Sequence, residues 1–203
     1  MNIPAADLLV STLRPGDAVG EHTMALARLL AERGVRPHIH TTRIPAPLPP
    51  DISQMATATA IGDYHPAAEL TLLEYAIWFP LAERFRERTA PGLFWYHGVT
   101  PPHLWAGDFG RELLITSQLN SELVWFAHHA VAVSPYIARE LHEWSGYPLE
   151  RIAIVPNGVA VERFRQPPSP AALDALRSAH GLQGKEVLLY VGRLAGNKRI
   201  DLL

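Results

Sequence analysis

DLLVSTLRPGDAVGEHTMALARLLAERGVRPHIHTT, residues 7–42, reads as a strand, a loop, a helix and a second strand. Residues 7–13 form a compact apolar run that stops at Arg14-Pro15-Gly16, as a buried strand does. Over residues 22–34 the period changes. Met24, Leu26, Leu29 and Leu30 share one helical face, Arg28, Glu32 and Arg33 the other, and Gly34 supplies a cap at the end. Residues 37–42 return to a strand. Strand, crossover helix and strand in one short stretch is the repeating unit of a parallel sheet.

The same alternation continues outward. Residues 44–50 carry four Pro in seven positions and read as loop. Residues 70–76 read as a strand and residues 80–89 as a helix opened by Pro80. GLFWYHG, 92–98, is an aromatic-rich strand, 108–128 has apolar positions at helical spacing, and 130–134 is a small apolar strand. A helix spans 135–146 between Pro135 and Gly146, and 151–159 is a strand running into the Asn157-Gly158 turn. The pattern predicts an α/β fold, a Rossmann-like parallel sheet with helices on both faces. Three Pro in 162–172 mark a linker; a helix at 171–181, a strand at 185–192 and the first turns of a helix at 197–203 follow. The expected organisation is a domain over 1–161, a linker over 162–172 and an incomplete second Rossmann-like domain over 173–203. One strand with a helix and a half cannot bury a core.

The chain has 203 residues, 48% of them hydrophobic and 19% charged, so a core can form without covalent staples. A net charge of −2 argues against a nucleic-acid binder with a broad basic face. The absence of Cys removes disulfides, thiol catalysis and thiolate metal sites together. Apolar runs end well before a membrane span, and MNIPAADLLVSTLRPGD lacks a basic leader region, so the expected location is cytoplasmic.

Three segments carry a resemblance: IVPNGVAVERF (154–164), LLYVGRLAGNKRIDLL (188–203) and WYHGVTPPHLW (95–105). Together, in their order and spacing along the chain, they resemble glycosyltransferase family 4, sugar-nucleotide-dependent transferases of GT-B architecture. The third is similar to a Tyr-His-x-x-Thr-Pro-Pro segment of one branch of that family. The resemblance implies two Rossmann-like domains facing across a cleft, the N-terminal one on the acceptor side and the C-terminal one holding the nucleotide sugar. It implies hexose transfer with retention and without a catalytic metal or other cofactor. The acceptor would be a lipid, a polysaccharide or a small molecule, and a peripheral setting at the inner face of a membrane is compatible with it.

Departure of a nucleoside diphosphate leaves negative charge that fixed cations stabilise well in a water-poor cleft. Gly192-Arg193 follow a predicted strand and Asn197-Lys198 open a predicted helix. The resemblance assigns Arg193 and Lys198 to the donor diphosphate, with Gly192 letting the backbone approach it; on spacing alone both cations read as ordinary solvated charges. Gly16 and Gly20 lie in the loop after the first strand. That loop is not G-x-G-x-x-G, so no dinucleotide fingerprint is present. The resemblance places Gly20 near the donor phosphate; a plain tight turn is the alternative. Glu21 and His22 read as caps or ligand contacts.

His97 closes the aromatic strand ahead of a rigid Thr100-Pro101-Pro102 loop, at the sheet edge where open α/β folds place functional groups. By resemblance it is the catalytic candidate and reaches the transferred sugar; a half-buried His satisfied by backbone is the alternative. His38 and His40 share a strand face and His128 and His129 are adjacent, but neither pair has a carboxylate or third His at ligand spacing, so no metal site is expected. Phe94 and Tyr96 are expected to pack on one side of their strand and Trp95 on the other, with stacking on an acceptor as the alternative reading. Two rivals stand beside the transferase: a GT-B nucleotide-sugar epimerase, which needs carboxylates not marked here, and a truncated chain that binds without catalysis.

Overall fold

The computed structural model describes residues 3–105, 107–159, 161, 165–192, 194, 198 and 200–202. Among the described residues seven strands form one sheet: β1 (Ala5–Thr12), β2 (Arg36–Arg43), β3 (Ala56–Ala58), β4 (Leu70–Tyr75), β5 (Gly92–Tyr96), β6 (His129–Ala132) and β7 (Ile152–Ile154), in the order β3-β2-β1-β4-β5-β6-β7. Every neighbouring pair is parallel. Helices α1 (Ala18–Glu32), α2 (Pro50–Ser53), α3 (Asp108–Leu119) and α4 (Pro135–Ser145) connect them, with 3-10 segments at Pro80–Arg86, Pro102–Leu104, Asn120–Phe126 and Leu149–Arg151. This is the Rossmann-like, all-parallel sheet expected from residues 7–42.

The strands bury both faces, and side-chain alternation sorts their residues into two cores. Ala6, Leu8 and Val10 of β1 and Leu72 of β4 pack with Met24 and Ala27 of α1. Leu9, Leu73, Tyr75, Phe94 and Tyr96 pack against Leu114 of α3 and Leu141 of α4 on the opposite face. Phe94 and Tyr96 stack at 6.2 Å, while Trp95 turns to the α1 face and meets His22, so the expected split of that aromatic run is present.

Local chemistry sets the helix limits. Asp17 caps α1 by accepting from the Gly20 N–H at 3.1 Å, and Gly34, at φ +80°, lets the chain leave it. Ser134 caps α4, Pro135 opens it, and Gly146 closes it at φ +68°. Leu29 departs from its expected face: it is 46% exposed, and Ala27 takes the buried position instead. The helical spacing read over 108–128 divides into α3, which ends at Leu119, and the 3-10 segment Asn120–Phe126; at the junction both the backbone N–H and the side chain of Asn120 donate to the Thr116 carbonyl. The Pro-rich stretch holds no strand, but its last proline, Pro50, begins the one-turn helix α2.

The chain divides into two compact units, residues 1–157 and 158–203. In the second, α5 (Pro170–Ala179) is capped by Ser169, whose hydroxyl accepts from the Ala172 N–H at 3.2 Å. The strand expected over 185–192 does not form: residues 185–191 have no regular structure, and Leu188 and Val191 are each 84% exposed. A strand needs a neighbouring strand to complete its ladder, and the described residues of this unit form no second strand. Of the helix expected over 197–203, Ile200–Leu202 form one 3-10 turn, and residues 197, 199 and 203 lie outside the described residues.

Candidate active site

The strand order places the site. From β1 the chain leaves toward β2 on one side, and from β4 toward β5 on the other, so β1 and β4 flank the point where the winding reverses. Open α/β sheets bind ligands outside the carboxyl ends of the strands at such a point. Glu74 sits one residue before the end of β4, in register with Val10 of β1 and Trp95 of β5. Its parity with Leu72 turns the carboxylate toward α1. His22 lies in the opening turns of that helix, and His97 follows β5 directly, its N–H donating to the Tyr75 carbonyl at 2.8 Å.

One oxygen gathers all three. Glu74 Oε2 lies 3.1 Å from His22 Nδ1 and 2.6 Å from His97 Nε2. A carboxylate only accepts, so both imidazoles donate: His22 through Nδ1–H and His97 through Nε2–H. The Glu74 side chain is fully buried, and those of His22 and His97 are 9% and 3% exposed. Trp95 closes the cluster, its ring centroid 4.6 Å from that of His22. Burial pushes the Glu74 carboxyl upward, but the hydrogen bonds from His22 and His97 and the electrostatic attraction of the two rings' N–H groups outweigh it and hold the group below its ordinary range. A charge is thus kept inside the domain. Glu74 Oε1, His97 Nδ1 and Trp95 Nε1 are buried with no hydrogen-bond partner among the described residues.

The three donor atoms lie within 4.8 Å of one another, and two imidazoles with a carboxylate suit zinc or a similar ion. Two ligands about 2.0 Å from one tetrahedral ion sit about 3.3 Å apart. The 2.6 Å separation of Glu74 and His97 is shorter and is that of a charge-assisted hydrogen bond. What stands here is a hydrogen-bonded triad whose members could regroup around an ion.

Sequence spacing could not reveal this cluster, since 52 and 23 residues separate Glu74 from its two partners. The same blindness hid a second one. The His38–His40 pair, read as lacking a carboxylate, has one: Asp7 on the neighbouring strand lies 3.7 Å from His38 and 3.5 Å from His40, and accepts from Tyr64 Oη at 2.9 Å. His128 is structural, its Nδ1 accepting from the Gly92 N–H at 3.1 Å.

The other predicted site residues separate. Gly16 adopts φ +78°, its N–H donating to Glu21 Oε1 at 2.8 Å, so Glu21 closes the loop and His22 alone turns to the cluster. Gly20 is buried, and a Cβ there would lie 2.5 Å from the Arg14 carbonyl oxygen; its N–H goes to Asp17. Close backbone packing therefore requires glycine at 20, whatever else the loop does. Gly192 and Lys198 are exposed in the second unit, and Arg193 lies outside the described residues.

Beyond His97, Glu140 of α4 accepts from Tyr96 Oη at 2.7 Å and from the Val99 N–H at 3.0 Å, pinning the loop that Gly98 turns at φ +89°. Beside it Pro101, Pro102, Tyr136, Arg139, Glu140 and Trp144 line a cavity of about 380 Å³. Sequence reading did not single out Glu74 or Glu140; the one available signal was a charged residue inside an otherwise apolar strand, LTLLEY.

The sequence profile of Glycosyltransferase Family 4 matches residues 19–163, more than half of the chain and all three members of the triad. This chain belongs to glycosyltransferase family 4. Solved structures agree in fold. A glycosyltransferase from Rickettsia africae superposes with TM-score 0.58 at 13% identity, over 91% of this chain and 51% of that one. WaaG, a glycosyltransferase involved in lipopolysaccharide biosynthesis, gives 0.55 at 14%, over 88% and 52%. Anabaena HepE in complex with UDP gives 0.50 at 15%, over 88% and 50%. The family 4 chain thus spans about half the length of the structures it matches, and its sheet corresponds to the N-terminal domain of the GT-B fold. No curated protein sequence matches it. No described helix is long and apolar enough to cross a membrane.

Proposed function

We propose that this domain is the acceptor side of a hexosyltransferase, which moves a hexose from a nucleotide-sugar donor to a hydroxyl of a lipid, a polysaccharide or a small molecule. The observation that carries the reading is the carboxylate with two imidazoles at the switch point of a family 4 sheet. Open α/β sheets bind ligands in the crevice at that edge, and ligand sites are built around a few precisely placed polar groups. HepE was solved with UDP, which supports a nucleoside diphosphate as the leaving group here too. Gly192 would let the backbone approach that diphosphate, the loop that ends at Gly20 would flank it, and Arg193 and Lys198 would supply charge as it departs. Transfer proceeds with retention, without a metal, in the cytoplasm, and His97 serves it from the acceptor side through its bond to Glu74.

The test is a panel of nucleoside-diphosphate hexoses offered to the protein with its donor-binding half, following nucleotide release and the anomeric configuration of the product. Release from at least one donor, with retention and undiminished in a chelator, is expected. The 203-residue chain alone should release nothing. Silence of the larger protein across the panel overturns the reading, and an inverted product overturns the stereochemical part of it.

A further inference from the structure

The two imidazoles of the triad are not equivalent. His97 bonds Glu74 through Nε2, and its other nitrogen, Nδ1, is sealed inside the domain. His22 bonds Glu74 through Nδ1, its Nε2 is not among the sealed atoms, and no described residue bonds to it. We propose that His22 is the ligand-contacting residue of the triad, its Nε2 accepting a hydrogen bond from a hexose hydroxyl. This deepens the sugar-transfer reading and rests on it.

The triad dictates the chemistry of that nitrogen. Because Glu74 accepts from Nδ1–H, the proton of neutral His22 is on Nδ1 and the lone pair is on Nε2. His97, held by the same oxygen at 2.6 Å, braces the carboxylate, and the Trp95 ring at 4.6 Å fixes the plane of His22. Glu74 and His97 are therefore positioning residues. The ionised carboxylate behind His22 selects the ligand: it repels a phosphate or carboxylate and favours an uncharged O–H donor. The donor diphosphate does not belong at this spot, and a sugar hydroxyl does. The unpartnered Trp95 Nε1–H, on a residue only 9% exposed, is an independent sign of an unmet polar group against the same ring.

The experiment is nitrogen-15 histidine NMR on the 203-residue protein, with two-bond correlations identifying which nitrogen of each ring carries the proton. His22 should be the Nδ1–H tautomer and His97 the Nε2–H tautomer. Glucose, UDP-glucose and UDP are then titrated separately. A shift of His22 Nε2 with glucose supports the proposal with the hydroxyl of a free sugar; a shift with UDP-glucose alone supports it with the donor's hexose. A His22 proton on Nε2, or a His22 signal unmoved by both sugars, overturns it, as does an equal response to UDP. In the full-length enzyme His22→Phe should raise the KM for the hydroxyl-bearing substrate about tenfold, the value of one hydrogen bond, and His22→Gln should restore part of it. Nucleotide release with His22 silent sinks this inference alone; a responding His22 without release from any donor sinks the transferase reading alone.

Discussion

Replacing Glu74 by glutamine keeps the shape of the side chain and removes its charge. Two hydrogen bonds to a charged acceptor are worth roughly 1.5–3 kcal/mol each, about 3–6 kcal/mol together. The amide oxygen of Gln can keep one of them, as a neutral bond of about 1 kcal/mol, while its NH2 group confronts the N–H of the other ring. Against this loss stands relief from burying a carboxylate, a cost of several kcal/mol. The folded carboxyl lies below its ordinary range, so in the native protein attraction exceeds that cost. We expect Glu74→Gln to lose about 2 kcal/mol, which for a domain of this size lowers Tm by roughly 4–8 °C. Thermal unfolding followed by tryptophan fluorescence measures it, with Trp95 as a probe beside the site. The pH dependence has a definite sign. A carboxyl with a lowered folded pKa contributes stability above its unfolded pKa and loses it as pH falls through the folded value. The gap between wild type and Glu74→Gln should therefore be full at pH 7 and shrink below about pH 4.5, the ordinary Glu value. Equal Tm at pH 7, or a gap that widens on acidification, would refute the reasoning.

Other outcomes follow from the packing. Gly20→Ala places a Cβ 2.5 Å from the Arg14 carbonyl oxygen and should cost about 1–3 kcal/mol in urea unfolding. Glu140→Ala strands Tyr96 Oη and the Val99 N–H, with an expected loss of about 2–3 kcal/mol and faster amide exchange at Val99. Tyr64→Phe removes a donor from Asp7, whose burial pushes its carboxyl up while hydrogen bonds from His40 and Tyr64 hold it down. The loss, about 1–2 kcal/mol, should be present above the ordinary carboxylate range and fade in acid, read from urea midpoints across pH.

Most of the sheet was legible because its periods are local. β1, α1 and β2 follow from apolar spacing within 7–42, and α4 from a proline at one end and a glycine at the other. β3 escaped because Ala-Thr-Ala has no period; it exists through its pairing with Ile39 and its neighbours on β2. Residues 185–191 show the converse, a strand-like sequence beside which the described residues of its unit form no second strand. For the site, His97 was visible from its place after the aromatic strand. Its partners were not, because parallel register brings Glu74 beside Trp95 and the helix crossover returns His22 above them. No spacing rule spans those distances. Asp7 between His38 and His40 was hidden for the same reason.

The central claim is that the polar cluster at this sheet edge serves sugar transfer. Nucleotide release by the whole protein, wild type beside His97→Ala, tests it most directly. The account predicts release from a nucleoside-diphosphate hexose by the wild type and loss of most of it in the variant, with the fold kept. Undiminished turnover in His97→Ala, or none in the wild type, would contradict it.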